Sequence, residues 1–234
     1  MNELILFGEV LVVFSALLIC KKLFGKNGVI AWVGIATVLA NIITAKNADI
    51  FGLSTAIGTV MFASTFLATD ILTECYSMED AKAAVRLGLF ADVLLVIGTQ
   101  IALLYKPSGF DYAHGAMETL FSLNLRISIA SAVMYYVSNM ADIYLFDKLR
   151  NKTQGKALWL RNNVSTILCN CVENFGFIGL AFAGIYDIET ILTIAASTSI
   201  IEALVAVLDT PFLYLAKRSD SLLKRIGARS EQNT

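Results

Sequence analysis

The chain has 234 residues, 57% of them hydrophobic and 16% charged, with a mean hydropathy of +0.69 and a formal net charge of −1. A soluble domain carries about a quarter charged residues. Here the deficit runs along the whole chain, which excludes a soluble domain with one anchor and indicates an all-α integral membrane protein.

A spanning helix needs about twenty predominantly apolar residues. Seven segments qualify in chain order: about 4–21, 28–45, 55–75, 84–105, 124–147, 160–185 and 189–216. The first lacks a basic leader, carries Glu3 and Glu9, and is followed by Lys21, Lys22 and Lys26, so it reads as a retained helix rather than a signal peptide. The second bears Gly34, Thr37, Asn41 and Thr44 at helical spacing. The third closes on "TFLATDILTECY", with Asp70 and Glu74 one turn apart, and the fourth holds Asp92. The fifth starts near Arg126 and continues through Ser128, Ser131, Tyr135, Ser138 and Asp142. The sixth has the strongest stripe, Asn163, Thr166, Asn170, Glu173 and Phe177. The seventh offers Thr198, Glu202 and Asp209 ahead of a basic tail, 217–234. Short connections and the lack of repeats or low-complexity stretches indicate one transmembrane domain over 1–234.

Basic residues set the orientation. With the amino terminus outside, the inner segments hold fifteen lysines and arginines and the outer loops only Lys46 and Lys106, with Arg126 inside a helix. The expected topology is N-out, C-in, in a cell membrane.

No G-x-x-x-x-G-K-[ST] loop is present, so the chain lacks that route to ATP hydrolysis. His114 stands alone in an outer loop. Cys20, Cys75, Cys169 and Cys171 form no C-x-x-C pair and read as buried thiols rather than metal ligands. No catalytic residue, metal or cofactor is expected.

A charged side chain at the bilayer centre costs about 2.5–3.5 kcal/mol on insertion scales. Acids within the spans must therefore face the bundle interior, reach an interface or be neutralised. Three- and four-residue spacing puts each polar set on one helix face, and several such faces imply a polar central site. Serines, threonines and glycines at this spacing also serve as packing contacts between membrane helices. That reading fits Gly34, Thr37, Ser128 and Ser131 better than Asn170, Glu173 and Glu202, which lie near the bilayer middle. Asp70 and Glu74 sit toward the inner end, where they could reach headgroup water, line a path or hold a basic partner such as Arg161. Arg126 could reach the interface or pair with an acid.

The segments "ANIITAK" (Ala40–Lys46), "TFLATDILTECYS" (Thr65–Ser77), "LRISIAS" (Leu125–Ser131) and "LWLRNNVSTILCNCVEN" (Leu158–Asn174) together resemble the queuosine precursor transporter family of vitamin-uptake-type membrane proteins. The resemblance runs from about Ala40 to Tyr214. It implies import of 7-cyano- or 7-aminomethyl-7-deazaguanine, or of queuine, for salvage into a modified tRNA nucleoside. It also implies a six-helix core similar to the substrate-binding subunits of energy-coupling-factor transporters, with helix 1 added. Matching polar positions are Asn41, Lys46, Asp70, Glu74, Tyr76, Arg126, Ser131, Asp142, Arg161, Asn163, Ser165 and Asn170. Ser77 stands where the family usually has glycine, and Glu173 and Asn174 where an aspartate and a small hydroxyl residue are common.

A guanine-like base presents N1–H and an exocyclic amine side by side, with O6 as acceptor. One carboxylate takes both donors and an amide donates to O6. Glu173 with Asn170 supplies that pair, with Glu202 as an alternative acid, and Asn163, Asn41, Ser131 and Asp142 complete the expected substrate site. Asp70, Glu74, Arg126 and Arg161 are the expected path or gate. Phe175, Phe177, Tyr135 and Trp159 are candidate stacking surfaces. The expected partners are the deazaguanine and the lipid bilayer, with no nucleic acid bound directly; a homodimer or a separate ATPase module stays open. The main alternative is a substrate-binding subunit of an ATP-driven uptake complex. An intramembrane enzyme is disfavoured because the spans hold no histidine or nucleophile–base pair.

Overall fold

The computed structural model describes residues 1–122 and 125–231, with side chains for all of these except Leu125 and 221–231. In order it contains α1 (Asn2–Ile43), β1 (Asn47–Ile50), β2 (Leu53–Ala56), α2 (Thr59–Cys75), α3 (Met78–Leu104), α4 (His114–Phe121), α5 (Leu125–Lys152), α6 (Leu158–Phe182) and α7 (Ile188–Glu231).

α1 covers the first two predicted spans. Its hydrogen-bonded run is interrupted at Gly25, whose φ of 60° and ψ of −143° lie in a region essentially reserved for glycine. The chain doubles back there. Asn2 Nδ2 at the start of the first limb donates to the Asp49 carbonyl at 2.8 Å, and Glu3 accepts from the Phe51 amide at 3.2 Å, just past the end of the second limb. The first limb packs on α7, through the Phe14–Phe212 ring contact, and the second on α3, where Gly34 sits against Leu87 and Ala91.

The linker to α2 forms an antiparallel two-stranded hairpin, Asn47 opposite Ala56 and Ile50 opposite Leu53. Its two-residue turn has positive φ at both Phe51 and Gly52, the backbone that matches strand twist. The all-α expectation is corrected here, and residues 55–56, read as the start of the third span, are strand. β-Branched Thr55 and the half-buried alternation favour pairing, and the short segment sits at one end of the bundle.

α2 occupies the centre, packed against α1, α3, α5 and α7. Nearly every residue from Thr59 to Cys75 is buried, as expected of a helix enclosed by others. The surrounding helices turn large apolar side chains outward, among them Leu11, Val12, Phe90, Leu94, Leu168, Val172, Ile200 and Val207. Polar groups go inward: Thr65, Thr69, Asp70, Ser138, Asn139, Asp142, Asn162 and Asp209 are each 0% exposed. This is the inverse of a soluble core and suits hydrocarbon as solvent.

Among the described residues, four helices are long and apolar enough to cross a membrane, or five if the broken α4–α5 pair counts as one. α1 is long enough to do so twice. The predicted fifth span begins at residue 124, outside the described residues. α7 runs on through the predicted tail to Glu231; the side chains of its basic residues Lys224, Arg225 and Arg229 lie outside the described residues. α3 starts at Ser77, whose hydroxyl accepts from the Asp80 amide at 3.1 Å. Ser77 Oγ and Lys26 Nζ both donate to the Asp80 carboxylate, at 2.7 and 3.0 Å.

Candidate functional site

The helix ends sort into two poles. One gathers the hairpin, the 105–113 loop and the α6–α7 turn; the other gathers Gly25, the α2–α3 turn and the α5–α6 turn. A cavity of about 420 Å³ opens between the helices toward the hairpin pole, within the range of small-molecule sites. Asn47, Ser54 and Thr55 of the hairpin form its mouth. Thr37, Phe62, Tyr135, Glu173, Asn174 and Glu202, drawn from five helices, form its deep end.

The polar lining is ordered pair by pair. Ser138 donates to Glu173 at 2.5 Å. Asn174 Nδ2 donates to Glu202 Oε2 at 2.6 Å and approaches Ser199 Oγ at 3.3 Å. Asn41 Nδ2 donates to Asp92 Oδ1 at 2.8 Å. The Tyr135 hydroxyl meets Thr37 Oγ1 at 3.4 Å, and its ring tilts against Phe62 with centroids 6.2 Å apart. Phe177 and Phe182, edge to face at 6.5 Å, add a second aromatic pair to the lining. Three carboxylates and no lysine or arginine line this cavity among the described residues. Such a lining favours a flat, neutral or cationic ligand rich in hydrogen-bond donors and disfavours an anion.

Of the sequence-predicted substrate residues, Asn41, Ser131, Glu173 and Glu202 come together here. Asn163, Asn170 and Asp142 do not line the cavity. Asn163 points to α7, donating to Thr210 Oγ1 at 2.8 Å beside Pro211. Asn170 is buried one turn below Asn174, and neither polar atom of its side chain is hydrogen-bonded among the described residues. Asp142 belongs to a second, deeper group. The reason is axial: Asn163 and Glu173 share a helix face but are about 15 Å apart at 1.5 Å per residue, and the cavity reaches only the last turns of that face. Of the candidate stacking rings, Phe177 and Tyr135 line the cavity, whereas Phe175 and Trp159 face outward. Asp92, Asn174, Phe62 and Phe182 were not singled out as ligands; the acid in an apolar span was the available signal for Asp92.

The predicted path residues divide. Asp70 is 0% exposed, which disfavours the alternative that it reaches headgroup water: α2 is central and its neighbours cover this turn. Glu74 does hold Arg161, at 2.5 Å, and also Lys217 at 2.6 Å, with Arg150 at 3.9 Å. Arg161, itself 0% exposed, gives a second bond to the Lys156 carbonyl at 3.0 Å. This network closes the pole opposite the cavity mouth. Arg126 lies outside the cavity, where it donates to the Leu180 and Ala183 carbonyls at the end of α6 and satisfies acceptors that a helix terminus leaves open. Among the described residues no group of three or more His, Cys, Asp or Glu side chains has metal-holding geometry.

Residues 56–216 match the family model described as "Putative vitamin uptake transporter". The chain is 35% identical over 206 residues to the "Probable queuosine precursor transporter" of Bacillus subtilis, covering 88% of this chain and 90% of that one. It is 26% identical over 188 residues to the "Queuosine precursor transporter" of Escherichia coli, covering 79% and 82%. No solved structure matches. The family match covers the cavity-lining parts of α2, α3, α5, α6 and α7 but not α1, and the first of these relatives aligns over nearly its whole length. The chain therefore belongs to the queuosine precursor transporter family, a family of transporters rather than enzymes.

Proposed function

We propose that the chain imports a queuosine precursor, a 7-deazaguanine bearing a cyano or aminomethyl group, through the cavity at the hairpin pole. The observation that carries this reading is the deep end of the cavity. Glu173 and Glu202 offer carboxylate oxygens, Asn174 offers an amide beside Glu202, and two aromatic pairs line the same cavity. One glutamate takes the N1–H and amine pair of the base, the amide reads O6, and the second acid suits a protonated aminomethyl group. The names of the relatives agree with this ligand class.

In this reading the polypeptide crosses the cell membrane seven times with its amino terminus outside, the two limbs of α1 counting as two passes. The fifteen-to-two bias of basic residues falls at the pole opposite the cavity mouth, and positive charge favours the cytoplasmic side. The cavity then faces out, and Glu74, Arg161 and Lys217 form the closed inner gate. Release of the base inside requires that network to separate.

The test is complementation in a bacterial strain that neither makes queuosine precursors nor has its own importer, supplied with each base at nanomolar concentration. Restored tRNA queuosine, read by mobility shift, supports import and ranks the bases. Protein present in the membrane with no modification from any base would overturn the assignment. Uptake into liposomes holding this chain alone separates a stand-alone carrier from a subunit that needs an ATPase module.

A further inference from the structure

Below the cavity, toward the gate, three helices each contribute one aspartate to a common buried centre: Asp70 of α2, Asp142 of α5 and Asp209 of α7, all 0% exposed. Asp70 meets Asp142 carboxyl to carboxyl, and Asp209 acts on both. Their donors are neutral and few, with Ser165 and Thr166 of α6 beside Asp142 and Asn162 beside Asp209. Asn162 Nδ2 donates to Asp209 Oδ1 at 2.6 Å, and Thr166 approaches Asp142 Oδ1 at 3.4 Å. Both oxygens of Asp70, Oδ2 of Asp142 and Oδ2 of Asp209 receive no hydrogen bond from any described residue. Acceptor thus faces acceptor in a site without water access, which is strongly unfavourable unless a proton sits between them.

Among the described residues, one cation, Arg161, acts on Asp70. The charged or titratable groups that face the centre are Arg161 and Cys169 from α6, with Glu173 one turn beyond Cys169. Arg161 is committed to Glu74, one turn along α2 from Asp70. The charges that α1 and α3 turn toward the bundle are engaged elsewhere: Lys21 with the Ala216 carbonyl and Asp220, Lys26 with Asp80, Lys82 with Glu79, and Asp92 with Asn41. The three carboxyls lack the convergence of a metal site.

Two buried amides with unpartnered atoms among the described residues lie between this centre and the cavity. The Ser138–Glu173 and Thr166–Asp142 contacts fix the antiparallel register of α5 and α6. Between them that register brings Asn139 and Asn170 to facing turns. Both are buried, and Asn139 Oδ1 and both polar atoms of the Asn170 side chain have no partner among the described residues. Cys169 interacts with Glu173 on one side and with Asp142 and Asp70 on the other.

We propose that Asp70, Asp142 and Asp209 form a proton-binding site, linked to the cavity along Asn139 and Asn170, that couples import to inward proton movement. The proton site stands on its own geometry; the coupling rests on the importer reading. Binding of a cationic or donor-rich base at Glu173 and Glu202 then communicates with the inner gate through helices that the three acids hold together.

Two measurements test this. First, infrared difference spectra of the purified protein in nanodiscs between acid and alkaline buffer should show a carboxylic-acid C=O band at low pH. The band should be lost or shifted in Asp142→Asn and Asp70→Asn, regained in part by Asp142→Glu, and unchanged when sodium replaces potassium. A band that ignores all three substitutions, or a sodium-dependent one, overturns the proton site; Asp209→Asn supplies a further variant should one of the others fail to fold. Second, in proteoliposomes an inward proton gradient should raise initial uptake of labelled 7-aminomethyl-7-deazaguanine severalfold, with the stimulation abolished by a protonophore and in Asp142→Asn. Uptake equal with and without the gradient, or driven by sodium, overturns coupling. Absence of uptake under every condition refutes the importer reading and coupling with it, while the infrared result still decides the proton site.

Discussion

Gly88 of α3 offers a sharp test of how the cavity is built. A Cβ placed there would overlap the Tyr135 hydroxyl, and would stand 3.0 Å from Tyr135 Cζ and 3.1 Å from Thr37 Oγ1. Tyr135 is 3% exposed and packed against Phe62, so in Gly88→Ala its ring has one open direction, into the cavity. Overpacking a close-packed site costs about 1–3 kcal/mol. If the displaced ring occupies ligand space, that range corresponds to a roughly five- to 150-fold loss of affinity, at about 1.4 kcal/mol per tenfold. Tyr135→Phe removes the colliding oxygen at the cost of one long hydrogen bond, worth at most about 1 kcal/mol. The double variant should therefore bind better than Gly88→Ala alone, against the additivity expected of independent sites. Equilibrium binding of the labelled base to detergent-purified protein gives all four affinities. Wild-type affinity in Gly88→Ala, or no recovery in the double variant, would refute the packing argument.

Three further outcomes follow from the same geometry. Glu173→Gln should abolish salvage at normal membrane abundance, because an amide cannot accept both donors of the base; normal salvage would remove Glu173 from the site. Glu74→Gln leaves the buried Arg161 guanidinium without its counter-charge and should destabilise the protein by about 3–5 kcal/mol, read as thermal unfolding in detergent. Pairing it with Arg161→Met should recover much of that loss, and equal instability of the pair would show that the network is not the cause. Gly25→Ala forces a side chain onto a glycine-only backbone and should lower stability by about 1–3 kcal/mol; an unchanged melting temperature would mean that the fold-back does not depend on that conformation.

Much of the bundle was legible because a lipid-facing helix must stay apolar along its length. The predicted spans therefore fall close to the observed helices, and Lys21, Lys22 and Lys26 mark the first reversal. The partnership of Glu74 with Arg161 was also within reach, since both are charges near one end. The hairpin was not, because a four-residue strand between long apolar runs carries too short a period to stand out.

The family, the helical class and the inward direction of the polar stripes were determined by sequence alone, through motif order and the cost of exposing polar groups to hydrocarbon. Which polar residues work together was decided by tertiary structure. Periodicity states the face of a helix but not the height at which neighbouring helices meet it. Axial packing sends Glu173 and Glu202 to the cavity with Asn41, draws Asp142 down to Asp70 and Asp209, and leaves Asn170 buried between the two groups.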